Sequence, residues 1–231
     1  MKSILNLVIK WIICFILFIA IAVGSYLLIN GIQFLLFVPD DAVLWTFEAT
    51  TLILIFFQCV LPISVLYAFI FVGRRKRKDF LSANKKKLLV SISVVGLLFL
   101  YAALTSISVI TDRTITHHSM LQPFGQEYPF TEIEAIETGV YGRSSGILMK
   151  QNKGEFYYIL ELSDGTKVHT HQAGSVGEMD HPLVTIERLD QVWVELGTTK
   201  KTSTDYFELT QDHLAKPYTD AIYKILTNTK D

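Results

Sequence analysis

The feature that most restricts the fold is a run of charge set between two apolar stretches. Residues 74 to 87 carry Arg74, Arg75, Lys76, Arg77, Lys78, Lys85, Lys86 and Lys87 against one acid, Asp79. Leu52 to Val72 precedes this run and Leu88 to Ile110 follows it, both without a charged residue. Lys and Arg near the ends of apolar spans are retained on the cytoplasmic face of a bilayer. The pattern therefore reads as two membrane helices joined by a basic cytoplasmic loop, 74–87. The same cations form a candidate membrane-surface site, since polybasic segments attract anionic headgroups and make membrane lipids a partner. Fixing topology is the simpler role for them.

Before these two stretches lies another apolar run. Lys2 and Lys10 lead into Trp11 to Asn30, about 20 residues that at ~1.5 Å each match a ~30 Å hydrocarbon core. Ala22-Val23-Gly24-Ser25 offers a small-residue cleavage site of the signal-peptide kind. Tyr26-Leu27-Leu28-Ile29 continues the apolar run, however, and favours an uncleaved anchor. Residues 31–38 remain apolar but are too short for a span, so they extend the first helix or lie along the interface. Pro39 ends it, Asp40 or Asp41 can cap a following helix, and Trp45 and Phe47 suit the headgroup belt. The expectation is a multi-pass cell-membrane protein with helices at about 11–30, 49–72 and 88–110, its N-terminus cytoplasmic and its tail outside.

Composition separates the tail from this membrane domain, 1–110. Residues 1–110 hold ten Lys/Arg against four acids, a balance of +6, and residues 111–231 hold eleven against eighteen, a balance of −7. An acidic tail argues against nucleic acid as a partner. Both cysteines, Cys14 and Cys59, fall in apolar runs, so the tail cannot depend on disulfides. Within it, Thr114 to Leu121, a segment through Tyr128 and Phe130, and Ile133 to Val140 read as strands. Ile147 to Gln151, Glu155 to Leu162 and Thr166 to Thr170 extend the series. Asp164-Gly165 is the dipeptide favoured in type I′ hairpins. The period then changes: Leu183, Ile186, Leu189, Trp193 and Leu196 recur at helical spacing, with Asp180 as cap, Pro182 in the first turn and Gly197 as stop. Thr198 to Thr204 reads as a polar connector. A last helical region uses Tyr206, Phe207 and Leu209, breaks before Pro217, and resumes with Ala221, Ile222, Ile225 and Leu226. Strands followed by helices give an α+β tail over 111–231.

Thr111-Asp112-Arg113-Thr114-Ile115-Thr116, Glu127-Tyr128-Pro129-Phe130-Thr131-Glu132-Ile133-Glu134-Ala135-Ile136, the Asp164-Gly165 hairpin and the helix after it together resemble bacterial pleckstrin-homology-like (PH-like) domains attached to membrane spans. The resemblance covers about residues 111–197 and rests on pattern, without a diagnostic motif. It implies a small barrel or curved antiparallel sheet closed by the helix Leu183 to Leu196, then further helices. It also implies binding or assembly in place of catalysis and transfers no catalytic residues. Two departures stand out: six strands are read where that barrel has seven, and residues from Thr204 onward lie outside the pattern.

Candidate chemistry is sparse. His169 and His171 are two apart on an expected strand and so share a face; with His181 or Glu178 folding back they would supply three ligands of a zinc site, although no fixed metal-binding spacing accompanies them. Ser144-Ser145-Gly146 lacks the hydrolase elbow, and the glycines near 174–177 lack the Lys and Ser/Thr of a phosphate loop. No catalytic residue and no cofactor is expected. Glu48, near the outer end of the expected second span, Gln58 and Pro62 are ionisable, polar and helix-bending residues of ordinary kinds in bundles. Two function classes follow. The first is a membrane-anchored binding or scaffolding module whose extracytoplasmic domain recognises an envelope or membrane protein, a peptide or a lipid headgroup. The second is a membrane enzyme or transport accessory subunit using Glu48, Gln58 or the His169/His171 strand.

Overall fold

One helix, α1, runs without a break from Lys2 to Phe37. It absorbs the short apolar stretch after Asn30 and ends where Pro39 removes a backbone donor. The computed structural model of the chain describes residues 2–48, 53, 55–64, 85–144, 152–170, 173–175, 181–212 and 214–229. They fall into a helical unit, Met1–Leu36 with Ala49–Leu104, and a sheet-rich body, Phe37–Glu48 with Thr105–Asp231.

Within the helical unit, Phe56–Val60 is a π-helical turn whose Leu61 N–H reaches Phe56 O. Pro62 follows at once, and its missing N–H and its ring disfavour regular α-helix there, so the ladder widens locally. Helix α2, Lys85–Thr105, stacks Phe99 on Phe56 with ring centroids 4.3 Å apart. Gln33, fully buried on α1, donates from Nε2 to the carbonyls of Ala103 (2.8 Å) and Leu104 (3.3 Å). It thereby occupies two of the acceptors that a helix C-terminus leaves open.

Among the described residues the body contains nine strands. Strands β1 (Ala42–Phe47), β2 (Ile107–Thr111), β3 (Thr114–His118) and β4 (Gln126–Pro129) belong to one sheet, and β5 (Ile133–Val140), β6 (Phe156–Leu162) and β7 (Lys167–His169) to another. Strand β8, Gly174–Ser175, precedes helix α3, Pro182–Glu195; β9, Thr199–Thr202, precedes helix α4, Lys216–Thr227. The first sheet has the order β4-β3-β2-β1-β8 and the second β7-β6-β5-β9. All pairings are antiparallel except β5 with β9. Inward-facing Leu44, Ile110, Ile115 and Tyr128 of the first sheet join Ile136, Tyr158, Leu160 and Leu162 of the second in one core, which α3 and α4 complete with Ile186, Trp193, Ile222 and Ile225.

Three expectations are corrected. Among the described residues one helix is long and apolar enough to cross a membrane, the 27-residue stretch Trp11–Phe37, about 40 Å at 1.5 Å per residue; this replaces the three spans. The apolar stretch ending at Ile110 is helical only to Thr105, after which Ile107, Val109 and Ile110 are buried strand residues. Hydropathy does not separate a membrane helix from a buried strand, whereas the β-branched run Ile107-Ser108-Val109-Ile110-Thr111 favours the strand. Of the expected second span, 49–72, only Ile53 and residues 55–64 are among those described. Ala42 to Phe47, expected to lead into a helix, is instead strand β1 paired with β2, and Glu48 N–H donates to Ser106 O at 3.0 Å beside that pairing. Finally, the six-strand barrel reading gives way to two sheets: β1, β2, β8 and β9 were unrecognised as strands, and the expected strand Ile147 to Gln151 lies outside the described residues. The α+β character of the tail stands.

The helix over the core follows its sequence closely. Leu183, Ile186, Leu189 and Trp193 are buried. At its end Gly197 N–H bonds Val194 O and Thr198 N–H bonds Trp193 O, the paired return bonds of a Schellman stop. The β6–β7 turn differs in detail. Leu162 N–H donates to Thr166 O and Gly165 N–H to Leu162 O, with only Gly165 at positive φ (81°). This is a three-residue loop with glycine in the left-handed position, not a two-residue type I′ turn.

Candidate functional site

The chemistry-bearing side chains that the fold brings together lie where α3, β6, β9 and α4 meet. Asp190 sits on the apolar face of α3, four residues after Ile186 and three before Trp193, and is 1 % exposed. Tyr158 of β6 donates its hydroxyl to Asp190 Oδ1 at 2.7 Å. Asn228, just past α4, donates from Nδ2 to Oδ2 at 2.7 Å. On β9, Thr199 and Lys201 face solvent while Lys200 turns inward and places Nζ 2.6 Å from Asp190 Oδ1. The same ammonium donates to the carbonyls of Ile225 and Asn228. Its three protons are thus all used, two of them on open acceptors at the end of α4, where a cation also suits the helix dipole.

Burial governs the proton affinities in this cluster. Loss of hydration pushes the Tyr158 phenol well above its usual range, and the Asp190 charge and hydrogen bond push it further the same way. Burial lowers the Lys200 ammonium, while its hydrogen bond and charge pairing with Asp190 oppose the shift. A carboxylate, an amine and a phenol so arranged resemble an acid–base set. They are, however, sealed: the Lys200 and Asp190 side chains are 3 % and 1 % exposed, and Lys200 and Tyr158 both donate to Asp190. The arrangement locks a strand to two helices. Next to it, Trp193 is fully buried and edge-on to Phe130 at 5.5 Å; its Nε1 has no hydrogen-bond partner among the described residues.

The accessible feature nearby is the edge of the second sheet. β9 ends the strand order and has β5 as its strand neighbour. At its start an open cleft of about 160 Å³ is lined by Phe130, Ile133, Glu134, Leu196 and Thr199 among others. An edge beside a partly apolar cleft can accept an extended segment by backbone pairing.

The residues expected from the sequence are placed as follows. His169 is exposed at the end of β7, and His171 lies outside the described residues. His181 is the N-cap of α3: Leu183 N–H donates to its Nδ1 at 3.3 Å, and its ring lies 4.0 Å from that of Tyr218. Asp180, expected as that cap, is also outside the described residues. No group of three His, Cys, Asp or Glu side chains able to hold a metal comes together among the described residues. Arg74, Arg75, Lys76, Arg77 and Lys78 lie outside them, and Lys85, Lys86 and Lys87 open α2. Glu48 is not within a span; its carboxylate accepts the His169 backbone N–H at 3.1 Å, and Thr46 Oγ1 donates to His169 O at 2.9 Å. These two bonds clip β1 of one sheet to β7 of the other. The side chain of Gln58 is not among those described.

Sequence reasoning missed Asp190, Lys200, Tyr158 and Asn228 as a group. The available signal was a single acid on the apolar face of a helix, a placement that requires a buried partner.

No protein-family model matches the chain, and no curated protein and no solved structure is significantly similar to it. The resemblance to PH-like domains therefore rests on the sequence pattern alone.

Proposed function

We propose that the protein is a membrane-anchored binding module whose body takes up an extended segment of another membrane or envelope protein along the β9 edge. In this reading α1 is the anchor, Lys2 and Lys10 stay on the cytoplasmic side, and the body faces the extracytoplasmic side. The observation that carries the proposal is the strand edge at β9 with a cleft open at its start. Thr199 and Lys201 stand exposed along this edge, while Lys200 and Thr202 fasten it from behind, Thr202 Oγ1 donating to Leu226 O at 2.9 Å. A strand held rigidly on one side loses little freedom when a second strand pairs with its other side. Catalysis has less support, because the acid–base groups that do meet are closed off from any substrate.

The test is site-directed photocrosslinking of the full chain in its native membrane. A benzophenone side chain replacing Thr199 or Lys201 should give an adduct, mapped by mass spectrometry to an extended stretch of the partner. The same group replacing Arg113, an exposed residue in the β2–β3 turn, should not. Adducts from position 113 with none from 199 or 201 would refute the β9 edge as the binding surface.

A further inference from the structure

The β3–β4 loop carries an observation that strand addition does not use. Between His118 and Glu127 the chain reads Ser119-Met120-Leu121-Gln122-Pro123-Phe124-Gly125-Gln126, without a charge. Leu121 is 91 % exposed and Phe124 96 %, with Met120 half exposed beside them. Such exposure of adjacent large apolar side chains is unfavourable in water. The loop is nevertheless well tied. Ser119 and Gln122 exchange backbone bonds at 3.2 and 3.1 Å, Gly125 N–H donates to Gln122 O, and Gln122 Nε2 donates to Gln126 Oε1 at 2.8 Å. His118 Nδ1–H donates to Pro123 O at 3.1 Å. Gly125 holds φ +80°, where a Cβ would meet His118 and Thr116 at 2.7 Å. The fold thus spends a fixed turn on presenting apolar side chains outward.

Its position supplies the occupant. His118 pairs with Ile107 across β3 and β2, and its ring packs 4.6 Å from that of Phe37, the last residue of α1. Ile107 pairs in turn with Phe47, and Glu48 N–H meets Ser106 O at the same end of the sheet. The loop therefore lies at the end of the sheet that holds Phe37, the residue at which the body begins. The β2–β3 turn with Arg113 lies at the other end, about 15 Å away along β2 at 3.3 Å per residue. From this geometry we infer that the β3–β4 loop is a second membrane contact: Leu121 and Phe124, flanked by Met120, enter the interfacial layer of the leaflet that receives the C-terminal end of α1. The inference rests on the reading of α1 as an anchor. Uncharged loops with aliphatic and aromatic tips partition into that layer, whereas charged ones stay in water.

The experiment uses the full chain, with Cys14 and Cys59 replaced by Ser, reconstituted in vesicles of phosphatidylcholine and phosphatidylglycerol. A nitroxide label is attached at Leu121→Cys, Phe124→Cys or Arg113→Cys. All three positions are exposed, so the body keeps its packing. Collision with oxygen, which concentrates in hydrocarbon, is compared with collision with a water-soluble nickel chelate. Labels at 121 and 124 should gain oxygen collisions and lose nickel collisions on reconstitution, while the label at 113 stays fully accessible to nickel. If the labels at 121 and 124 remain as open to nickel as the one at 113, in protein that floats with the vesicles, the loop inference fails and the anchor stands. If 121 and 124 are shielded from both reagents with spin–spin broadening, a second copy of the chain covers the loop and the lipid assignment is overturned. Protein that does not float with the vesicles would overturn the anchor reading together with the loop inference.

Discussion

Lys200 Nζ lies 2.6 Å from Asp190 Oδ1, and neither side chain is more than 3 % exposed. The pair is the junction through which β9 is fixed to α3 and α4. Removing one member leaves the other charged and buried without its counterion. Asp190→Ala or Lys200→Met should each cost about 3–5 kcal/mol, read as a lower unfolding midpoint of the detergent-solubilised chain. The double variant Asp190→Leu with Lys200→Met should recover much of that loss, since two apolar groups replace two charges. Single variants that unfold at the same denaturant concentration as the parent would show the pair to be dispensable.

The clip between the sheets should yield to smaller changes. Thr46 is buried, so Thr46→Val, which keeps its shape but leaves His169 O without that donor, should cost ~1 kcal/mol. Glu48→Ala should cost less, because the His169 amide it releases is at the surface and water can replace the carboxylate. Its signature is local: hydrogen exchange at the His169 amide should quicken in Glu48→Ala while the centre of β6 stays protected.

Alkaline pH should weaken the body through its tyrosines. Burial and the hydrogen bond to Asp164 push Tyr128 up to about 12, and Tyr158 is raised well above its usual value of 10.0. Between the unfolded and folded values the native state holds protons that the unfolded state releases, so stability falls as pH rises. The stabilisation is fully present below about pH 10 and is lost upward from there. Denaturation midpoints at pH 9, 10 and 11 should fall through that series in the parent. The fall should be shallower in Tyr128→Phe, although its starting stability is lower because the bond to Asp164 is gone. An unchanged slope in that variant would remove Tyr128 as a source.

Orientation is testable directly. A reporter enzyme active only outside the cytoplasm, fused at the C-terminus, should be active if Lys2 and Lys10 stay inside. A silent fusion that is nonetheless expressed in the membrane would place the body in the cytoplasm.

Local signals in the sequence translated well. The apolar run from Trp11, the turn around Asp164-Gly165 and the spacing of Leu183, Ile186, Leu189 and Trp193 each depend on neighbours within a few turns or residues. What escaped depends on distant partners. Ala42 to Phe47 gains its strand character from β2, which lies beyond the whole segment 49–104, and without that partner its Trp and Phe read as interfacial anchors. Ile107 to Thr111 is as apolar as the end of a membrane helix, and the distinction lies in β-branching and in a partner strand. Thr199 to Thr202 looks polar because the inward residue of β9 is a lysine, intelligible only once Asp190 is placed opposite. Exposed apolar groups at 121 and 124 were visible as letters, but their exposure was not.

The pairing of β1 with β2 has a consequence for the order in which the chain is made. β1 leaves the ribosome early yet remains without a neighbour until all of residues 49–104 and β2 have followed. During that interval a strand bearing Leu44, Trp45 and Phe47 is open to any other edge, the condition under which strands mispair. Closing the sheet also requires the two ends of a long intervening segment to meet, which slows assembly relative to local hairpins such as β3–β4. The first sheet is therefore the late and vulnerable step of biogenesis. Lesions in the 49–104 segment that delay its return would expose β1 and surface as aggregation or degradation of the entire body.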